Sequence, residues 1–250
     1  MMANRTKKYG LVGYPLGHSF SKDFFARKFA EEGIDAEYVN FEIDNISRIV
    51  EVLADGVDGL NVTIPYKQQI MPYLDRIDPA AQRIGAVNVV KIERSTDGKC
   101  STCGYNSDIV GFTESIRPML DSRHRRALIL GTGGASKAVR CGLEDLGVES
   151  TYVSRRAADG MLTYADLTEE VFKQYQVIVN TTPLGMYPHV DTLPDIPYSL
   201  LTPDYVCFDL VYNPETTRFL HEAALRGAAT RNGMEMLVLQ ALESWRIWNM

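Results

Sequence analysis

Hydrophobic and polar positions switch between two periods along the chain, and the switches predict its elements. Residues 9–14, YGLVGY, form a short strand. Phe20, Phe24, Phe25 and Phe29 then recur near helical spacing and give one apolar face, with Ser19 as a cap and Gly33 as a stop. AEYVNFEI (36–43) alternates as a strand, ISRIVEVLA (46–54) reads as a helix, and DGLNVTI (58–64) is a strand again. A βαβαβ succession favours a mainly parallel sheet covered by helices. Asp97-Gly98 then marks a hairpin turn between two strands.

A helix is expected near 107–121, followed by strand, glycine-rich turn, helix and strand across 125–156, with Gly147 ending the helix. YADLTEEVFKQY (164–175) reads as one helix, VIVN (177–180) and YVCFDLVY (205–212) as strands, and 217–227 as a helix. The last helix starts near Met234 and carries Trp245 and Trp248. There are no internal repeats and no low-complexity tract. The character of the chain changes near 105–125, where a domain boundary is expected.

Composition narrows the function classes. The chain has 250 residues, 45% hydrophobic and 23% charged, which suits one large or two small globular domains. A formal net charge of -6 argues against nucleic acid as a partner. No stretch approaches the roughly 18–20 apolar residues of a membrane span. The first residues, MMANRTKKYG, have basic side chains but no apolar run behind them, so no signal peptide is read and a cytoplasmic address is expected. Cys100 and Cys103 form a CxxC, but residues three apart on a strand point to opposite faces, and no second CxxC or nearby histidine completes a site. Ordinary small side chains, with no metal, are the expectation.

The second half carries the clearer chemistry. GTGGAS (131–136) follows the strand ALIL and opens a helix. In that context Gly131 permits a tight turn, Gly133 lets backbone approach a pyrophosphate, and the small residues at 135 and 136 permit close helix packing, although Ser136 stands where a third glycine or alanine is usual. The helix N-terminus adds free N–H groups and positive potential. A plain strand–helix turn would need one glycine, and this one has three. About 20 residues further on, where an NAD site places an acidic residue on the ribose, stand Ser154, Arg155 and Arg156. A guanidinium grips a 2′-phosphate that a carboxylate would repel, so NADP is expected rather than NAD. NTTPLGM (180–186) leaves a strand as a polar loop, and Thr181 could face the cofactor.

A nicotinamide in the second half needs a hydride donor or acceptor in the first. In NVTIPYK (61–67), Asn61, Thr63 and Lys67 cluster at the end of an apolar strand. An ammonium there can stabilise the negative charge that develops on a carbonyl oxygen, and can donate the proton. Asp108 in GYNSD would keep such a lysine charged and aimed, although by its position it also caps the following helix. Ser19, Ser21, Asn88 inside an apolar strand and Gln240 in an apolar helical run add donors and acceptors, as a small hydroxylated acid would require. Each of these, taken singly, fits a structural role better, and only together do they point to a ligand. Met236 and Ser244 share the helix face of Gln240.

GYPLGHSFS, NVTIPYK, GAVN, GYNSD, GTGGAS, NTTPLGM, DLVYNP and GMEMLVLQA follow one another over the whole chain, and in that order they resemble the shikimate dehydrogenases. The resemblance implies NADPH-dependent reversible reduction of 3-dehydroshikimate to shikimate, a step of aromatic amino-acid and chorismate biosynthesis. It implies two α/β domains with a cleft between them: residues 1–105, joined by about 234–250, for substrate, and a Rossmann-type NADP domain over 106–233. The C-terminal helix would return to the substrate domain. By the same resemblance Lys67 and Asp108 match the catalytic pair. Ser19, Ser21, Thr63, Asn88, Asp108, Tyr212 and Gln240 match substrate contacts, with Asn61 in the same motif. Gly131, Thr132, Gly133, Gly134, Ala135, Ser154, Arg155, Arg156, Leu210 and Gly233 match cofactor contacts. The chain departs from the pattern at Lys22, Phe25, Ala26, Val89, Ser107 and the 154–156 stretch. Alternatives are a quinate/shikimate dehydrogenase using NAD and a non-catalytic metabolite-binding homologue. A monomer or homodimer is expected.

Overall fold

A computed structural model describes residues 5–17, 20–95 and 99–250. The chain divides into two compact units, Met1–Ser107 with Ala241–Met250, and Asp108–Gln240.

In the first unit the elements are β1 (Lys7–Gly13), α1 (Phe20–Glu32), β2 (Ala36–Glu42), α2 (Ile49–Ala54), β3 (Gly59–Val62), β4 (Arg76–Ile77), α3 (Pro79–Ile84), β5 (Val89–Arg94) and β6 (Cys100–Tyr105). The sheet order is β2-β1-β3-β5-β6-β4. Its first three strands are parallel, as the alternating pattern predicts. The sheet is nevertheless mixed, because β5 runs antiparallel to β3 and β6 antiparallel to β5. β4 pairs parallel with β6 at the sheet edge, and α3 links it to β5. β5 and β6 pair as a hairpin from Val89–Tyr105 to Arg94–Cys100. The turn residues Asp97 and Gly98 lie outside the described residues. On β6, Cys100 is exposed and Cys103 buried, as alternation requires.

Apolar side chains cover both faces of this sheet. Val12, Leu60, Val62 and Val90 pack with Ile49 and Ile70 on one side. On the other, Tyr9, Phe25, Phe29 and Tyr38 pack with Ala241, Ile247 and Trp248. Trp248 stacks on Tyr9 at 4.7 Å between ring centroids and donates Nε1–H to the Val90 carbonyl at 3.1 Å. That ring lies against Gly59, where a Cβ would come within 2.5 Å of the indole.

In the second unit the elements are α4 (Asp108–Ile116), β7 (Arg126–Leu130), α5 (Gly134–Asp145), β8 (Glu149–Ser154), β9 (Met161–Thr163), α6 (Glu169–Phe172), β10 (Val177–Asn180), β11 (Val206–Asp209), α7 (Arg218–Leu225), β12 (Ala229–Arg231) and α8 (Met234–Asn249), whose last residues belong to the first unit. The strands are all parallel in the order β12-β11-β10-β7-β8-β9. Counted from β7 this is the doubly wound order 3-2-1-4-5-6, whose topological switch point falls between β7 and β10. Fully buried strands such as ALIL and VIVN belong in such a sheet.

Two helices differ from the pattern. The one expected over 107–121 ends at Ile116 and tightens into a 3₁₀ turn, Arg117–Met119, where Pro118 has no N–H for the helical ladder. Residues 164–175 do not form one helix. Thr163 and Asp166 close a capping box around a 3₁₀ turn, Leu167 leaves helical geometry, and Thr168 starts the one-turn α6 by accepting from the Val171 amide at 3.3 Å. Local caps override the apolar spacing there. Among the described residues no helix is long and apolar enough to cross a membrane.

Candidate dinucleotide and substrate sites

The glycine turn sits at the switch point, where open α/β sheets bind ligands. Gly131 has φ +100°, which favours glycine, and a Cβ there would lie 2.9 Å from Thr182 Cγ2 and 3.0 Å from Thr181 Oγ1. Thr181 is tied to the same strand end, since its backbone N–H and its hydroxyl donate to the Leu130 carbonyl at 3.0 and 2.7 Å. Thr132, Gly133 and Gly134 are exposed, and nothing lies within 4 Å of a Cβ built on either glycine. Their backbone therefore faces open space at the start of the 12-residue α5, whose first N–H groups have no partner within the helix. Ser136, the departure from the glycine pattern, is buried and donates its hydroxyl to the Gly133 carbonyl at 2.7 Å, fastening the turn to the helix. Ala135 is half-buried. Close helix packing is also found at Gly142, whose Cβ would meet Thr113 Oγ1 at 2.7 Å.

At the end of β8, Ser154 Oγ accepts from the Arg156 amide at 3.3 Å. Arg155 and Arg156 are exposed, and among the described residues neither guanidinium has a carboxylate partner. An exposed glycine backbone at a helix N-terminus and two uncommitted arginines beyond the next strand suit a dinucleotide that carries a 2′-phosphate.

Two residues that the pattern did not single out hold this end of the sheet together. Asn180 and Asp209 end β10 and β11 in the same register and are both fully buried. Asn180 donates to Asp209 Oδ1 at 2.9 Å and accepts from the Thr182 hydroxyl at 2.6 Å. Asp209 also accepts from the Val211 amide at 3.0 Å and the Thr217 hydroxyl at 2.6 Å. Burial pushes the Asp209 carboxyl up to about 6, against the opposing pull of these hydrogen bonds. The readable signal was a polar residue closing each of two wholly apolar strands. Leu210 and Gly233, matched to cofactor contacts by resemblance, do come together. A Cβ on Gly233 would fall 2.2 Å from the Leu210 carbonyl oxygen. Tyr212 is half-buried just beyond, and Gln240 is half-buried on α8, donating to the Leu237 carbonyl at 3.1 Å.

The first unit gathers the other polar candidates at the ends of β1 and β3. Thr63 continues the ladder by donating its amide to the Val12 carbonyl at 2.9 Å, and it lies against Gly13, whose Cβ would meet its methyl at 2.5 Å. Lys67 is half-buried in the turn that follows, and its carbonyl accepts from the Val87 amide at 2.7 Å, next to Asn88. Ser21 is half-buried on α1 and hydrogen-bonds the Tyr38 phenol, which burial shifts upward and this bond pulls back. Asn61 is buried, with its oxygen accepting from Tyr38 at 2.8 Å and its nitrogen donating to Ser244 at 2.9 Å. The amide that seemed offered at the strand end is thus engaged inside the unit. Ser19 lies outside the described residues. Asp108 is buried at the first position of α4, in the second unit.

Comparison with known proteins fits both units. Residues 11–90 match the family model described as the shikimate dehydrogenase substrate binding domain. A shikimate dehydrogenase (NADP(+)) from Methanococcus aeolicus is 36% identical over 99% of this chain and 94% of its own length. The crystal structure of shikimate dehydrogenase from Aquifex aeolicus superposes with a TM-score of 0.85 at 34% identity, covering 100% of this chain and 94% of that one. The Thermus thermophilus enzyme, solved with NADP(H) and shikimate, gives 0.83 at 29% identity, covering 97% and 93%. With likeness of this degree over nearly its full length, the chain belongs to the shikimate dehydrogenase family.

Proposed function

We propose that this protein is an NADP-dependent shikimate dehydrogenase, an oxidoreductase that interconverts 3-dehydroshikimate and shikimate in aromatic amino-acid biosynthesis. The observation that carries this reading is the 36% identity to an NADP(+) shikimate dehydrogenase across 99% of the chain, with Lys67 and Asp108 in place. The second unit holds the dinucleotide. The N–H groups of residues 132–135 take the pyrophosphate, Arg155 and Arg156 take the 2′-phosphate, and Leu210 and Gly233 frame the approach to the nicotinamide. Bound there, the cofactor supplies or receives the hydride.

The first unit binds the small substrate through Ser19, Ser21, Thr63 and Asn88, with Tyr212 and Gln240 contributing from the second. Lys67 stabilises the charge that develops on the carbonyl oxygen as it is reduced, and Asp108 keeps the ammonium charged and oriented. A cytoplasmic enzyme, monomeric or homodimeric, goes with this reading.

The test is oxidation of shikimate followed at the nicotinamide absorbance band, with NADP⁺ and NAD⁺ compared. Turnover with kcat/KM favouring NADP⁺ is the expected result. Binding without turnover would point to a non-catalytic homologue, and preference for NAD⁺ with activity on quinate to the quinate/shikimate type. Lys67→Ala is expected to lower kcat by roughly 10²- to 10⁴-fold while the circular dichroism spectrum and melting temperature stay close to wild type. Undiminished kcat would remove Lys67 from the mechanism.

A further inference from the structure

Asn88 is 3% exposed and is gripped from two directions. Its carbonyl accepts from the Val62 amide at 2.8 Å and from Asn61 Nδ2 at 3.4 Å. Its side-chain oxygen accepts from the Ser107 amide at 2.7 Å and the Ser107 hydroxyl at 3.3 Å. A backbone N–H can only donate, so the 2.7 Å bond settles which end of the Asn88 amide is which. Oxygen faces the Ser107 amide, while Nδ2 donates to the Ser107 hydroxyl at 3.1 Å, so one serine engages both ends of the Asn88 side chain. Asn61 is oriented by the converse argument, because the Asn88 carbonyl can only accept and faces its nitrogen at 3.4 Å, leaving its oxygen to accept from Tyr38 at 2.8 Å.

The two holders of Asn88 share one further partner. Ser244, on the last turns of α8, is fully buried. Its Oγ accepts from Asn61 Nδ2 at 2.9 Å and lies 3.2 Å from Ser107 Oγ. A single hydroxyl therefore joins the amide beneath the Asn88 backbone to the residue that orients the Asn88 side chain. Ser107 is also the residue before Asp108. All four side chains are buried, where hydrogen bonds are short of competing water and a lost partner is poorly replaced.

We infer that Ser244 is a positioning residue for substrate binding, acting through Asn61 and Ser107 to fix the orientation of the Asn88 amide. The inference rests on the reading of Asn88 as a substrate contact in a shikimate dehydrogenase. It assigns a task to a residue of the C-terminal helix that touches neither substrate nor cofactor in that reading.

The experiment is steady-state kinetics of shikimate oxidation with NADP⁺, for wild type, Ser244→Ala and Ser244→Cys, alongside melting temperatures. Losing one hydrogen-bond partner in this network is expected to raise KM for shikimate by roughly threefold to tenfold in Ser244→Ala. KM for NADP⁺ and kcat are expected to stay within about twofold of wild type. Ser244→Cys, which fills the space with a weaker acceptor, is expected between the two, and it decides the matter should the alanine variant not fold. An unchanged KM for shikimate in a folded variant overturns the inference, as does an equal loss in both KM values and kcat, which is the mark of general loosening. A wild-type protein that oxidises no shikimate overturns the functional reading, and this inference with it.

Discussion

Asp209 shows at the scale of one residue how the cofactor-binding end of the second unit is held. Its carboxylate receives three hydrogen bonds, from Asn180, Val211 and Thr217, and thereby ties the loops after β10 and β11 to one point. Burial still outweighs them, raising its pKa from the ordinary 3.8 to about 6. A raised carboxyl pKa means that the folded state holds a proton that the unfolded chain has already lost. The stabilisation is complete below pH 3.8 and is lost as pH rises through about 6. Asp209→Asn keeps the shape and removes the titration. The stability difference between variant and wild type, from urea unfolding, is expected to move in favour of the variant by about 3 kcal/mol between pH 3.5 and pH 7. Parallel pH profiles for the two proteins would show that Asp209 does not titrate in this range. The residue scale is also where pattern and structure part most often. Asn61, Thr63 and Lys67 looked alike at a strand end, yet Asn61 is committed to Tyr38 and Ser244 inside the first unit, because β3 is buried along its whole length and only Thr63 and Lys67 lie beyond its last residue. Ser244 read only as a neighbour of Gln240 on the helix, since its partners lie at positions 61 and 107.

Elements meet through glycines at places that no local pattern announces. β3 begins with Gly59, and the indole of Trp248 on α8 occupies the space where a side chain would stand, with its Nε1–H bonded to Val90 on the neighbouring strand. Gly59→Ala is expected to lower stability by about 1–3 kcal/mol, because the added methyl would sit 2.5 Å from a ring already clasped between Tyr9 and Phe25. The denaturation midpoint should fall, and tryptophan fluorescence of the native state should change. An unaltered midpoint would mean that α8 gives way at no measurable cost. Most elements themselves were legible. The strands ALIL and VIVN, the glycine turn between β7 and α5, and the helix from Met234 are strongly patterned, and all are present. What was not legible depended on competition between neighbours. The 164–175 segment has helical spacing, yet two successive caps divide it. The short strands β9 and β12 exist only because an edge of a parallel sheet is there to receive them.

For the whole molecule, the two units give the functional reading a physical consequence. If the second unit holds NADP and the first holds shikimate, each ligand should protect a different set of backbone amides. Hydrogen exchange with saturating NADP⁺ is expected to slow residues 126–136 and 150–156 most, and with shikimate residues 59–67 and 86–90. Reversed patterns would overturn the assignment of the units. The sequence by itself determined the class of the second unit, because buried parallel strands, a glycine turn and arginines at a set distance are short-range signals. It also ordered the first three strands of the other sheet, since βαβ alternation leaves few topologies open. Only the tertiary structure decided that the first sheet would turn antiparallel after β3, and that α8 would place Trp248 on Gly59 and Ser244 between Asn61 and Ser107. The α8 contacts join residues more than a hundred positions apart. They are chosen by which buried groups can be satisfied and packed at once, and no window along the chain contains both partners.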